Sequence, residues 1–594
     1  MDTATLDKLL KNVEKPARYI GEELNIIKKP NANINFALCF PDVYEIGMSH
    51  LGSRILYHAI NQVDGVACER AFTPWPDMEQ VLRDANEPLF SLETKRPLGT
   101  FDIVGFSLLY EMCYTNILTM LDLSGIPFYA KDRGADMPLV IAGGPCCCNP
   151  EPVAPYFDAI LIGDGEELVL DVIKAVGAAQ NAGTPKAELL QQLKTMRGIY
   201  VPMLHQPGER VVRRIVQDLD QTTFTGKPVV PYLSIIHDRV ALEVMRGCTR
   251  GCRFCQAGYI YRPVRERKRE TIMKQAREQI ACTGYDEISL LSLSTGDYSE
   301  VHTLVPEIIH EMEANKVSVS LPSLRVDAQL KEDFSVMQSV RKAGLTFAPE
   351  AGTQRLRDVI NKNVSQEDIL RATDDAFTSG WNNVKLYFML GLPTETDEDI
   401  LGIAALSRMV SKQFYELPKE QRGKGLRMSV SVSTFVPKPF SAFQWCAQNT
   451  LDEIRRKQDL LKAAMKGIRG AELHMHLSKL SVLEAAFSRG DRKLAEVLRK
   501  AYVSGCRFDS WSEHFKPALW EAAFADCGCT AEEYAQRAYG LNEVLPWANV
   551  DMLVTENYLK AEYGRAFEGK TTDDCRNGCN GCFGAEHADD CSLS

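Results

Sequence analysis

Three things are missing from this sequence. No stretch of its 594 residues approaches the roughly 18 uninterrupted apolar residues of a membrane span. The first twenty residues, MDTATLDKLLKNVEKPARYI, mix charge with apolar positions at helical spacing and carry no signal-peptide core. No tandem repeat is present. Together these absences point away from a secreted or membrane-spanning protein and towards the cytoplasm. An excess of positive charge is missing too: 68 Lys+Arg stand against 79 Asp+Glu, a formal net charge of −11. That balance argues against a wholesale nucleic-acid coat and leaves room for a local basic site.

Cysteine is abundant, with 18 in the chain. In a long chain without an export signal, clustered cysteines point to metal or cofactor ligation more than to disulfides. The remaining composition, 45% hydrophobic and 25% charged, is that of an ordinary globular protein. At roughly 150 residues per domain, the length allows about three or four domains.

The apolar pattern divides the chain. Residues 1–30 read as a helical leader. Buried strands at Ile34–Phe40, Phe101–Leu109, Leu139–Gly144 and Phe157–Gly163 alternate with helical stretches, the pattern of an open parallel α/β sheet over 31–180. A linker, 181–234, leads to a second α/β series over 235–450. Its strands are expected at Arg239–Cys248, Glu287–Ser294, Leu345–Ala351, Val384–Gly391 and Met428–Val436. Repeated β–α units of this kind suggest a full or partial barrel. Ser365 with Asp368, and Thr396 with Asp399, are spaced as capping boxes. Residues 451–568 read as mostly helical. The polar, Gly- and Cys-rich tail, 569–594, lacks the apolar content to order itself without a ligand.

MRGCTRGCRFCQAG places Cys248, Cys252 and Cys255 at C-x3-C-x2-C just after a strand, with Gly247 and Gly251 allowing a tight wrap. Three thiolates can hold three corners of a cubane cluster and leave one iron open, whereas structural zinc normally takes four protein ligands. Zinc and coincidence are the competing readings of the spacing alone.

This segment, with Phe254 before the third cysteine, resembles the cluster motif of the radical S-adenosylmethionine (SAM) superfamily. Further segments resemble that superfamily in order. SLSTGDY, with Ser294, Thr295, Gly296 and Asp297, loosely resembles its methionine-binding segment. APEAGTQRLRDVINK, with Glu350, resembles the segment reaching the SAM ribose or carboxylate. LYFMLGLPTET, with Gly391, and FVPKPFSAFQW resemble the fifth- and sixth-strand segments. The resemblance implies a [4Fe–4S] cluster whose open iron chelates SAM, reductive cleavage to a 5′-deoxyadenosyl radical, and an electron donor such as flavodoxin or ferredoxin. A strand-end acid at Glu350 and a plain strand end at Gly391 are the ordinary alternatives.

The first α/β domain carries Asp42-x-Tyr44-x-x-Gly47, Ser107-x-Leu109 and Gly143-Gly144 at strand ends. In order, these resemble the D-x-H-x-x-G, S-x-L and GG segments of cobalamin-binding domains. GGPCCCNPEP and LIGDGEE (Leu161–Glu167) also resemble segments of cobalamin-linked radical SAM enzymes. The departure is Tyr44 at the histidine position, which implies a cobalamin whose lower face no histidine ligates. His50 is a possible substitute, although a histidine near a helix start is ordinarily structural. A Rossmann-like sheet without cobalamin is the competing reading. Cys146, Cys147 and Cys148 are expected to line the cleft.

DDCRNGCNGCFGAEHADDC repeats the three-cysteine spacing at Cys575, Cys579 and Cys582, with His587 and Cys591 behind. An auxiliary iron–sulfur cluster, zinc held by three cysteines plus His587 or Cys591, and a ligand-free tail all remain open. Between Arg246 and Arg269 lie eight basic residues and only Glu266 against them, with Tyr259 and Tyr261 interleaved. This stretch could hold phosphate and stack a base, leaving RNA as a possible substrate, or could be a solvated helix start with its own ion pairs.

In its whole order the chain resembles a bacterial family of cobalamin-binding radical SAM proteins. The implied reaction is methyl transfer to an unactivated carbon. Methylthiolation or sulfur insertion fed by the tail, and a non-catalytic redox or RNA-associated scaffold, are the alternatives.

Overall fold

The computed structural model describes residues 1–222, 224, 226–320, 345–422 and 425–591. The first sheet holds β1 (Ile34–Phe40), β2 (Val66–Phe72), β3 (Ile103–Ser107), β4 (Leu139–Gly143), β5 (Ala159–Leu161) and β6 (Ile199–Tyr200), in the order β2-β1-β3-β4-β5-β6. All neighbours are parallel except the β5–β6 pair at the edge. β1, β3 and β4 are almost wholly buried apolar runs because helices cover both faces, as a parallel sheet requires. The order reverses between β1 and β3. At such a switch point adjacent connections leave the sheet on opposite faces and open a crevice at the strands' carboxyl ends.

Two cores sandwich this sheet. One is filled by helices on its own domain, chiefly Leu51–Asn61 and Gly165–Ala182. The other mixes the domain with the C-terminal helices: Tyr114 packs on Phe487, and Thr115 donates to Asp509 at 2.7 Å. The C-terminal segment thus caps the first sheet.

Past the short β7 (Val211–Val212), β8 (Val240–Glu243), β11 (Glu287–Leu291) and β12 (Ser318–Ser320) form one parallel sheet in the order β12-β11-β8. β9 (Met245–Arg246) and β10 (Arg265–Glu266), which fall between β8 and β11 in the chain, form a separate antiparallel ribbon. A second parallel sheet runs β13 (Leu345–Glu350), β14 (Asn383–Leu390), β15 (Arg427–Thr434) and β16 (Ala471–Met475). β16 lies within the stretch expected to be helical and extends the barrel sheet past residue 450. β17 (Val550–Asp551) pairs with β7.

Alternation in β14 and β15 separates two faces. Val384, Leu386, Phe388 and Leu390 lie in the core beneath the helices, whereas Lys385, Tyr387 and the serines of β15 face away from them. The barrel interior is accordingly polar and partly open. Both expected capping boxes form, at Ser365/Asp368 and Thr396/Asp399, and fix where the helices Gln366–Thr378 and Asp397–Glu416 begin. No helix among the described residues is long and apolar enough to cross a membrane.

Candidate functional site: a cysteine loop beside an interdomain cleft

Cys248, Cys252 and Cys255 lie on the loop that joins β9 to β10. Gly247 sits at φ +89°, and a Cβ there would fall 2.6 Å from the Pro263 carbonyl oxygen, so only glycine lets the loop close. Cys255 N donates to Cys252 O at 3.1 Å, and Gly258 N donates to Cys255 Sγ at 3.3 Å. Burial, and then the neighbouring thiols, push Cys248 up to about 11 and Cys255 up to about 12. Mutual repulsion among three thiolates is relieved by a cation bound between them. The donor set therefore fits an iron–sulfur cluster held by three thiolates. Among the described residues no three His, Cys, Asp or Glu side chains converge as the ligands of a single ion would.

Buried polar links fasten the loop. Arg253 donates to Glu562 at 3.0 Å and to the carbonyls of Val359 and Lys570. Asn361 donates to Gly251 O at 3.1 Å, and Gln256 donates to Cys148 Sγ at 2.9 Å and Pro439 O at 3.0 Å. Phe254 packs with Ala351, Leu356 and Met389.

The structure places Ser294, Thr295, Gly296 and Asp297 in a short helical turn after β11. Ser294 Oγ donates to Asp297 at 2.6 Å, and Arg250 grips the same carboxylate at 2.6 and 3.0 Å. Burial would raise Asp297, but these contacts hold it at about 2. Arg576 from the tail reaches it as well, at 2.9 Å. Glu350 ends β13 at φ +67°, an unusual backbone for a non-glycine residue, and pairs with Lys362 at 3.3 Å. Asn361, next to Lys362, donates to Gly251 O at 3.1 Å, which puts this pair beside the cysteine loop. Gly391 ends β14 at φ +85°, and its N–H donates to Glu395 at 2.8 Å.

A cleft of ≈ 430 Å³ opens where the carboxyl ends of the first sheet face those of β8 and β11. Ser107, Leu109, Gly143 and Gly144 line one side; Glu243, Met245, Arg246, Gly247 and Leu291–Leu293 line the other. Gly247 adjoins Cys248, so the cleft ends at the cysteine loop. Its small residues and mixed apolar and polar wall suit a large flat ligand.

Asp42, Tyr44 and Gly47 do not border the cleft. Asp42 accepts from Trp511 Nε1 at 3.1 Å and from its neighbour's N–H, and Tyr44 donates to Glu23 at 3.0 Å. This segment forms the short helix Tyr44–Ser49, in which Phe40 and Phe72 crowd Gly47. His50 does reach the cleft. Its Nδ1 accepts from Ser53 N at 3.0 Å and caps the helix Leu51–Asn61, which assigns the ring proton to Nε2. Burial drives its pKa down to about 4, so the ring is neutral.

The cysteine triplet departs from expectation. The cleft wall ends at Pro145, and the short helix Pro145–Cys148 buries all three thiols, Cys148 accepting from Gln256. Most of the basic stretch is turned inward, while Lys268 and Arg269 form the expected solvent-accessible helix start. Arg246 pairs with Glu243, Glu166 and Asp164; Arg250 with Asp297 and Asp574; Arg265 with Asp164; Arg267 with Glu243; and Arg269 with Glu300 and Glu307. These charges are spent within the fold. Tyr259 is buried, and Tyr261 lines the cleft. The tail, expected to need a ligand for order, lies against the cysteine loop through Asp574, which meets Thr249 and Arg250, with Cys582 and Phe583 buried.

Sequence reading alone does not single out Asp164, which accepts from Arg265 at 2.5 Å and Val216 N at 2.9 Å at the cleft edge. Burial opposes its charge, but Arg246 and Arg265 hold the carboxyl well below the usual range. The segment LIGDGEE carries the signal, an acid-rich turn directly after a strand.

This combination, a three-cysteine loop after the first strand of a parallel barrel joined to an α/β domain, defines a class. Residues 242–406 match the family model described as Radical SAM superfamily, and residues 52–202 match the one described as Radical SAM proteins, N-terminal. The chain thus carries a radical SAM domain, preceded by a region of the kind found N-terminal to such domains. An uncharacterized protein of Methanocaldococcus jannaschii is 29% identical over 469 residues, 78% of this chain and 90% of that protein. A tRNA-2-methylthio-N(6)-dimethylallyladenosine synthase of Geobacillus kaustophilus is 22% identical over 28% of this chain and 33% of its own length. Among solved structures, the radical SAM methyltransferase TsrM of Kitasatospora setae, with cobalamin and a [4Fe–4S] cluster bound, is similar at 14% identity. The match covers 67% of this chain and 74% of that one, with a TM-score of 0.45. The cobalamin-dependent SAM radical enzyme OxsB is similar at 14% identity over 74% of this chain and 57% of its own, with a TM-score of 0.46.

Proposed function

We propose that this protein is a cobalamin-dependent radical SAM enzyme that transfers a methyl group to an unactivated carbon. The observation that carries this reading is the shared wall of the cleft: Ser107, Gly143 and Gly144 face Met245–Gly247, directly before Cys248. A flat cofactor bound there lies between the first sheet and the cysteine loop. When bound, a [4Fe–4S] cluster on Cys248, Cys252 and Cys255 supplies one electron for cleaving SAM, and cobalamin supplies a transferable methyl group.

The chain's own residues prepare the site. Arg250 and Ser294 hold Asp297 ionised at the barrel mouth, an acceptor for the SAM ammonium. Lys362 orients Glu350 towards the same mouth, where a ribose hydroxyl can donate to it. Gly144, at φ +121°, brings the backbone against Leu108 and keeps the cleft floor flat. The tail lies against Cys248 and shields that side of the cysteine loop from water.

The test is cobalamin content after anaerobic purification, together with methyl-labelled methionine fed to cells with and without the protein. Bound cobalamin and label in one macromolecular or small-molecule fraction support the reading. Purification without cobalamin from cells supplied with it would count against it. Sulfur transfer is the second reading, favoured by the tail thiols lying beside Cys248; it expects sulfide lost from the protein with each turnover.

A further inference from the structure

Cys575, Cys579, Cys582 and Cys591 line one narrow cavity, and Cys248 and Arg262 complete its wall. The tail reaches this position through polar links, since it has little apolar surface to bury. Asp574 accepts from Thr249 Oγ1 at 2.9 Å and pairs with Arg250 at 2.8 Å; Cys575 N donates to Thr249 O at 3.2 Å; Thr555 N donates to Cys582 O at 2.9 Å. Two N–H groups already point at sulfur: Asn580 Nδ2 to Cys575 Sγ at 3.5 Å, and Gly581 N to Cys579 Sγ at 3.4 Å.

Arg262 supplies an independent observation. It is 3% exposed, donates to the carbonyls of Gly258 and Arg250, and leaves Nη1 buried without a partner. It stacks over Tyr259 and Tyr558, and among the described residues it pairs with no carboxylate. Cys575 and Cys582 line the same cavity as Arg262. A buried guanidinium without a counter-charge is costly, and an anionic metal–thiolate body in this cavity would neutralise it.

We propose that these four cysteines hold a second iron–sulfur cluster, fully ligated by protein, against the wall of the catalytic loop. The tail repeats the C-x3-C-x2-C spacing of the central motif and adds a fourth thiol, so every iron of a cubane has a ligand. His587 is turned elsewhere, towards Asp551 at 3.6 Å and Asp590 at 3.9 Å. With no open iron, this centre stores and passes electrons and does not chelate SAM.

Iron and sulfide per chain, with Mössbauer and EPR spectra, test the proposal on the anaerobically reconstituted full chain. The triple variants C248A/C252A/C255A and C575A/C579A/C582A are each expected to keep half of the wild-type iron as a [4Fe–4S] cluster. Only the cluster left in the tail variant should change its EPR spectrum on adding SAM. C591A, a milder change near the chain end, is expected to convert the tail centre to a [3Fe–4S] signal. In the central triple variant, R262Q should shift the remaining cluster's midpoint potential downwards, because a nearby positive charge is lost. Full iron content in the tail variant, or zinc in place of iron in the central variant, would overturn the proposal.

Discussion

Arg253 and Glu562 form an ion pair 3.0 Å long in which neither side chain is exposed to solvent. Arg253 lies between the second and third cysteines of the loop, and Glu562 lies on the helix Glu556–Phe567, more than three hundred residues later. Removing one partner strands the other charge in the interior, a change that typically costs about 3–5 kcal/mol. Glu562→Ala is therefore expected to destabilise the protein by about that amount and to loosen the cysteine loop. Denaturant unfolding of the apoprotein measures the first effect. A variant as stable as wild type would show that the pair does not anchor the loop.

Gly247→Ala tests the geometry of the loop itself. A left-handed backbone costs an alanine about 1–2 kcal/mol, and its Cβ would also collide with the Pro263 carbonyl, 2.6 Å away. The expected outcome is a folded protein that loses the SAM-responsive EPR signal. Retention of that signal at wild-type intensity would mean that the loop tolerates a different path.

The sequence made the core strands of both sheets legible because buried parallel strands are continuous apolar runs. β2 escaped because VACERAF carries Glu69 and Arg70 inside the fold, where Arg70 pairs with Glu23 at 3.0 Å and Glu93 at 2.6 Å. β16, AELHM, escaped because it is a half-exposed edge strand with alternating polar residues. Within the site, spacing alone marks the three cysteines, since thiols so closely spaced on one short loop can reach one centre. Spacing could not show that most of the basic stretch is buried: the partners of Arg246, Arg250 and Arg265 include Asp164, Asp297 and Asp574, far apart in sequence. Nor could it show that Arg262 lies between the two cysteine sets.

Asp509 gives a pH prediction. Burial pushes its carboxyl up to about 6, although Trp520 and Thr115 donate to it. A raised folded pKa means that its contribution to stability is fully present below the unfolded value near 4 and is lost as pH rises through 6. Asp509→Asn keeps an acceptor for Trp520 and removes the titration. The stability of the variant relative to wild type is expected to rise by about 2–3 kcal/mol between pH 4 and pH 7. A pH-independent difference between the two proteins would contradict this.

Gly143 tests the cleft. A Cβ there meets Leu161 at an ordinary 3.7 Å, so the backbone accepts a side chain, and a longer one projects into the ligand space. Gly143→Ala is expected to bind cobalamin like wild type. Gly143→Leu is expected to lose at least tenfold in affinity while unfolding at the same denaturant concentration. Equal binding by both variants, measured by equilibrium absorbance titration, would place any cobalamin elsewhere.

The most direct measurement is SAM cleavage by the reconstituted, dithionite-reduced protein, followed as formation of 5′-deoxyadenosine and methionine. Cleavage by wild type, its abolition in C252A, and its persistence in C579A are the expected results. A wild-type protein with a full complement of iron at Cys248, Cys252 and Cys255 that leaves SAM intact under reducing conditions would contradict the account.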